Sequence, residues 1–177
     1  MATYGNIAPI LRADTLKTIV MGGLVAGTLD GIDAVVSVRV RGITIVRLFQ
    51  FIASGLMGEK AFRGGLRTVA LGCALHFLIA TGAAAVYYAL SFKTPALLRR
   101  PVLCGPVYGL AVYCFMHYLV VPLSSAPVQP APTPYWILNQ VFSHTIFVGL
   151  PIALIASWSA CRRRTVLEKA VAEIGSD

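Results

Sequence analysis

Two aspartates, Asp30 and Asp33, sit inside an apolar run, LKTIVMGGLVAGTLDGIDAVVSV at residues 16–38, long enough to cross a bilayer. A carboxylate in hydrocarbon costs on the order of 2.5–3.5 kcal/mol even on insertion scales, so both acids should face protein, a partner or water rather than lipid. The three histidines of the chain, His76, His117 and His144, lie in three further apolar runs, one in each. Imidazole changes charge between about pH 5 and 8 and is also a common metal ligand. An Asp–His set can therefore take up protons, hold a cation, or bind a transition metal such as zinc, iron or copper. Cys73-x-x-His76 and Cys114-x-x-His117 put a thiol and an imidazole on one side of a helix at i, i+3, and Gln140 stands one turn before His144. Cys73, Cys114 and Gln140 are thus secondary candidates. The spacing matches no tight metal motif, and axial haem ligation is a lesser variant of the metal reading. The same residues also suit a purely structural role, because polar side chains join membrane helices by about 0.6–2 kcal/mol each.

Helical periodicity decides what positions the acids. At about 100° per residue, Gly23, Ala26, Gly27, Asp30 and Ala34 share one face of the first run, and Leu24, Leu29, Ile32, Val35 and Val36 lie opposite. The acids therefore lie on or beside a small-residue stripe. Gly23-x-x-x-Gly27-x-x-x-Gly31 favours close packing, within the bundle or between copies. His76 shares its side of the second run with Gly72, Cys73, Ala80, Ala83 and Tyr87, a similar stripe.

The composition sets the class. Hydrophobic residues make up 57% and charged residues 12%, against roughly 25% charged in an ordinary soluble domain, so this is the composition of an integral membrane protein. The net charge of +8 does not indicate nucleic-acid binding, because the basic residues fall between apolar runs, where they set topology and meet anionic lipid. Four cysteines, at 73, 104, 114 and 161, form no small-domain disulfide framework. The first run is too long for a cleaved signal peptide and is followed by Arg39 and Arg41, so it should persist as a span.

The expected fold is all-α: a four-transmembrane-helix bundle in one domain over 1–177. Its spans fall at about 16–38, 67–91, 102–121 and 136–160, with a cytoplasmic tail at 161–177. Between the first two spans, ITIVRLFQFIASGLM at 43–57 is too short to cross. It sets Ile45, Leu48, Phe49, Phe51, Ile52 and Leu56 against Arg47, Gln50 and Ser54, an amphipathic interfacial or re-entrant helix ended at Gly58. PLSSAPVQPAPTPYW is expected to be an extended, polyproline-like loop. Tyr87 and Tyr88 should sit near an interface, and Pro151 invites a kink.

Lysine and arginine number nine on the side of the termini and six, Arg39, Arg41, Arg47, Lys60, Arg63 and Arg67, on the other, which favours both termini in the cytoplasm. Those six should meet anionic headgroups or an acidic partner. In that topology Asp30, Asp33 and the three histidines all fall in the outer half of the bilayer, roughly 6–14 Å below its edge. No Walker loop, G-x-S-x-G elbow, H-E-x-x-H or dinucleotide fingerprint is present.

From His76 to Arg164 the layout resembles bacterial inner-membrane proteins of the YagU-like type. The resemblance is carried by HFLIATGAAAVYYAL, a basic turn, a span ending FMHYLVVPL, a proline-rich loop, and SHTIFVGLPIAL before an arginine cluster. It covers about half the chain and implies shared positions at His76, His117 and His144, a bacterial inner-membrane location and a link to acid tolerance. The expected role is non-enzymatic, an Asp–His core that binds protons or a cation in acid or ion homeostasis. The alternatives are a structural or assembly subunit, in a homo-oligomer or larger membrane complex, packing through glycine faces, and, third, a metal-dependent membrane enzyme.

Overall fold

The computed structural model describes residues 7–128 and 132–174, of which 7–13, 169–170 and 173–174 are described by their backbone alone. The described residues form helices, turns and connecting loops, with no strand. Four helical stretches are long and apolar enough to span a membrane, Asp14–Val40, Gly65–Lys93, Pro101–Leu123 and Pro134–Glu168, and each contains one of the expected runs. The protein is an all-α, multi-pass membrane bundle.

In chain order the elements are α1 (Ile7–Val40), α2 (Ile45–Met57), a 3-10 stretch (Gly58–Arg63), α3 (Gly65–Lys93) and a single turn α4 (Ala96–Arg99). Then α5 (Pro101–Phe115) passes through a π turn (Met116–Val120) into α6 (Val121–Leu123), and α7 (Pro134–Ser143) passes through a second (His144–Gly149) into α8 (Leu150–Ile174). The ends have local causes. Gly42, at φ 75°, closes α1: Ile43 N–H donates to the Val38 carbonyl at 2.9 Å and Gly42 N–H to that of Arg39 at 3.0 Å, the paired bonds of a glycine-terminated helix. Thr44 caps α2 by accepting from Arg47 N–H, and Gly58, at φ 60°, ends it. Thr133 caps α7 in the same way, with Pro134 in the first turn.

Both π turns precede a proline. Pro122 and Pro151 lack the N–H that the carbonyls of Tyr118 and Phe147 would otherwise receive, and the widened turn absorbs the mismatch. At Pro151 the sequence suggested a kink; the structure has a π turn beginning at His144. The expected tail after 160 is a continuation of α8 to Ile174, supported by the Arg164–Glu168 pair at i, i+4 and 2.8 Å. In the proline-rich loop, residues 129–131 lie outside the described residues. Its first part is tied to α2 by Ser125 N–H donating to the Gly55 carbonyl at 2.9 Å.

Small residues hold the bundle together. Half of the innermost cluster is alanine, Ala26, Ala84, Ala153 and Ala156, with Tyr87, Tyr88, Val148 and Ile152. Leu24, Ile32, Val36, Leu78 and Val107 point outward. With no hydrophobic drive between helices in lipid, contact depends on backbone proximity and hydrogen bonds. The α1 glycine stripe lies on α3: a Cβ at Gly23 would fall 2.5 Å from Thr81 Cα, and one at Gly27 would fall 2.9 Å from the Phe77 ring. A second seam, Gly105, Gly109 and Gly149, joins α5 to the π turn before α8, and a Cβ at Gly105 would fall 2.8 Å from Leu150 Cα.

The end carrying the termini is clamped by polar contacts. Tyr87 donates to the Leu97 carbonyl at 2.8 Å, Ser157 to that of Leu98 at 2.7 Å, and Arg163 to the Tyr88 hydroxyl. Tyr87 and Tyr88 are thus near one end of their helix, but inside the bundle. Thr18 and Ser159 share a buried hydrogen bond of 2.6 Å between α1 and α8. Thr18→Val should lower stability by roughly 0.6–1.7 kcal/mol, read as a shift in denaturant unfolding in detergent. An unchanged midpoint would show that the pair does not hold these helices.

Helix α2 packs the opposite way from a water-facing amphipath. Its buried residues are Gln50, Ala53 and Ser54, turned toward α3, where a Cβ at Gly72 would fall 2.6 Å from the Phe49 carbonyl carbon. Ile45 and Leu56 face outward, and Leu48, Phe51 and Ile52 border a cavity. Gly72 permits this close approach, which leaves Ile45 and Leu56 for lipid and Leu48, Phe51 and Ile52 for the cavity.

Candidate functional site

At the end of the bundle opposite the termini, α1, α2, α3, α5, α7 and the loops between them border a half-open cavity of about 1560 Å³. Asp30, His76, His117 and His144 all line it, as does Gln140. They come from four different spans. At about 1.5 Å per residue, Asp30, His76 and His144 stand some 15 Å in from their helix ends, and His117 about 9 Å.

Each is oriented by a distinct device. Asp30, half-buried, accepts a hydrogen bond from Ser143 Oγ at 2.8 Å, so α1 is tied to α7 through the residue next to His144. His76 Nε2 lies 2.7 Å from the Gly27 carbonyl oxygen; that acceptor assigns the proton to Nε2 and leaves Nδ1 with its lone pair. Gly31 makes room for the ring, since a Cβ there would fall 3.3 Å from the same nitrogen. His144 Nδ1 donates to the Gln140 carbonyl at 2.9 Å, leaving Nε2 as its acceptor. His117 stacks on Tyr113 with ring centres 5.4 Å apart and planes at 13°, and His144 meets the same ring edge-on at 5.6 Å. Tyr113 therefore sits between two imidazoles. These two histidines open or lie within the two π turns, a distortion common at functional sites.

The remaining candidates part company. Asp33 does not line the cavity; Asn139 Nδ2 donates to it at 3.1 Å and to Ser37 Oγ at 2.9 Å, a polar lock between α1 and α7. Cys73 and Cys114 are free thiols outside the lining, Cys114 exposed on the helix exterior, so the i, i+3 thiol–imidazole echo is not used here. Among the described residues, no three His, Cys, Asp or Glu side chains come together as a shared transition-metal site would require. Gly23, Gly27 and Gly31 are occupied by α3 within the chain.

Of the six basic residues between the first two spans, Arg41, Arg47, Lys60 and Arg63 line the cavity, together with Glu59, whereas Arg39 and Arg67 are exposed outside it. Arg41 lies over the Trp136 ring at 4.7 Å and Arg47 over Phe62 at 3.8 Å. Sequence reasoning did not single out Tyr113, Ser143, Asn139 or the Gly105/Gly109/Gly149 seam. Gly105-x-x-x-Gly109 and the polar Asn139-Gln140 pair in an apolar run were the available signals. No protein-family model, curated protein or solved structure matches the chain.

Proposed function

We propose that this protein is a proton-responsive membrane protein, non-enzymatic, whose Asp30–histidine cavity takes up protons from the side on which the cavity opens and passes them across the bilayer. The observation that carries the reading is that Asp30 and all three histidines, drawn from four separate spans, line one cavity. His76 and His144 each have one ring nitrogen held by a backbone carbonyl, so a second proton enters at the other nitrogen without disturbing the first. Protonation then places two or three positive charges in one cavity with Asp30 and Glu59 as the acids and Arg41, Arg47, Lys60 and Arg63 already present. The added repulsion acts across Tyr113, where α5 and the π turn of α8 meet. The lysine and arginine bias makes the cavity side external and the termini cytoplasmic. A bacterial inner-membrane location and a part in acid tolerance belong to the same proposal, supported by the resemblance to the YagU-like proteins. A subunit role through the glycine stripe is disfavoured, because α3 covers that stripe within the chain.

Proteoliposomes holding a pH-sensitive dye test this reading. Proton entry should exceed that of protein-free vesicles and rise as the pH on the cavity side falls through about 8 to 5, the range in which imidazole charges. His144→Gln should reduce the acid-dependent part several-fold. Entry equal to empty vesicles at every pH would sink the proposal.

A further inference from the structure

We infer that the cavity is a binding site for one anionic phospholipid, its phosphate held by Arg41, Arg47, Lys60 and Arg63 and its acyl chains lying along the apolar wall of α2. The inference is independent of the histidines' titration.

Four cations and a single nearby acid, Glu59, surround the outer part of the cavity. None of the four makes an ion pair among the described residues, where Arg164–Glu168 is the salt bridge found. Unpaired charges at a membrane edge call for an anion, and guanidinium groups match phosphate oxygens with two parallel N–H donors. Arg41 and Arg47 are already steadied over aromatic rings, which lowers the entropy lost when an anion is bound.

The rest of the wall fixes the ligand's other half. Leu48, Phe51, Ile52 and Met57, supplied by the inverted packing of α2, line the same space, together with Val121 of α6. A free inorganic anion would have no use for that surface. At about 1560 Å³ the cavity also exceeds the roughly 300–1,000 Å³ common for small-molecule sites, leaving room for chains behind a headgroup. Charge and apolar wall together specify an amphiphile with an anionic head, and a membrane supplies phospholipids of that kind in place.

The test is native mass spectrometry of the full chain in an uncharged detergent, titrated with phosphatidylglycerol, phosphatidylcholine or inorganic phosphate. One phosphatidylglycerol should be retained, in preference to phosphatidylcholine, and millimolar phosphate should not displace it. Arg47→Gln/Arg63→Gln should weaken retention roughly 25-fold, about fivefold per cation removed. Arg39→Gln/Arg67→Gln, which removes the same charge from the same end but outside the cavity, should leave it unchanged. If the first pair fails to fold, Arg41→Gln/Lys60→Gln replaces it with the same expected loss. Equal retention of phosphatidylcholine, displacement by phosphate, or equal losses in the inside and outside pairs would overturn the proposal; the last would reduce it to diffuse surface attraction.

Discussion

Replacing Gly109 with alanine is expected to lower the unfolding free energy of the bundle by about 2–3 kcal/mol, toward the upper end for overpacked cores. A Cβ at this position would penetrate the His144 carbonyl oxygen and lie 2.8 Å from both the His144 carbonyl carbon and Thr145 Cα. Those are backbone atoms of a π turn, so no side-chain rotation relieves the clash. Helix α5 must back away from the second π turn, and the separation also pulls Tyr113 from His144, whose ring centres are 5.6 Å apart. Stability and cavity geometry should therefore fail together. The comparison is Gly82→Ala on α3, where an added Cβ meets nothing within 4 Å. That change should be neutral or stabilise by up to about 1 kcal/mol through helix propensity alone. Equilibrium unfolding in mixed detergent measures both, and equal midpoints for the two variants would show that the α5 seam is not tight.

The second large effect concerns the two acids. Asp30→Asn should cut acid-driven proton entry into proteoliposomes by about tenfold or more, within the range of effects attributed to a positioned acid–base group. Asparagine keeps an oxygen to accept from Ser143 Oγ, so the α1–α7 tie persists while the titratable group is lost. Asp33→Asn removes the same charge three residues away, outside the cavity and against Asn139, and should leave entry within twofold of wild type. Loss in both variants would point to a general need for negative charge in α1, and loss in neither would remove Asp30 from the proposed proton path. A circular-dichroism melt on each variant separates a folding defect from a transport defect.

The contrast between these aspartates shows where sequence reasoning reaches its limit. Three residues turn a helix by about 300°, so Asp30 and Asp33 stand about 60° apart. Periodicity put both on or beside the small face and could not say which would meet the histidines. The position of α7 decided it: Asn139 and Ser143, one turn apart on that helix, each take one acid. The thiol–imidazole echo in spans two and three was equally regular in sequence. It came to nothing at the cavity because α5 turns Cys114 outward while His117 stacks on Tyr113.

Helix α2 gives the same lesson in reverse. Its amphipathic pattern was plain, and Gly58 ended it as expected. Pattern alone could not reveal that the polar face would turn inward. That depended on Gly72 of α3, which lets the Phe49 backbone approach, and so on a contact between two helices rather than on the pattern of either one. The basic residues around α2 were legible as a group. Their division into four that line the cavity and two that do not follows from how the 3-10 stretch and the α1 turn fold back.

By itself, the sequence determined that the chain crosses a membrane, how many helices can do so, which face of α1 is inside, and that one ionisable residue from each later span lies at a comparable depth. These follow from hydrophobic length and helical period, which are local properties. Only the tertiary structure decided that Asp30 and the three histidines share a cavity while Asp33 and the cysteines do not, and that the glycine stripe is filled by α3. Those outcomes depend on helix rotation and separation, set where small residues let backbones meet, and no single segment carries that information.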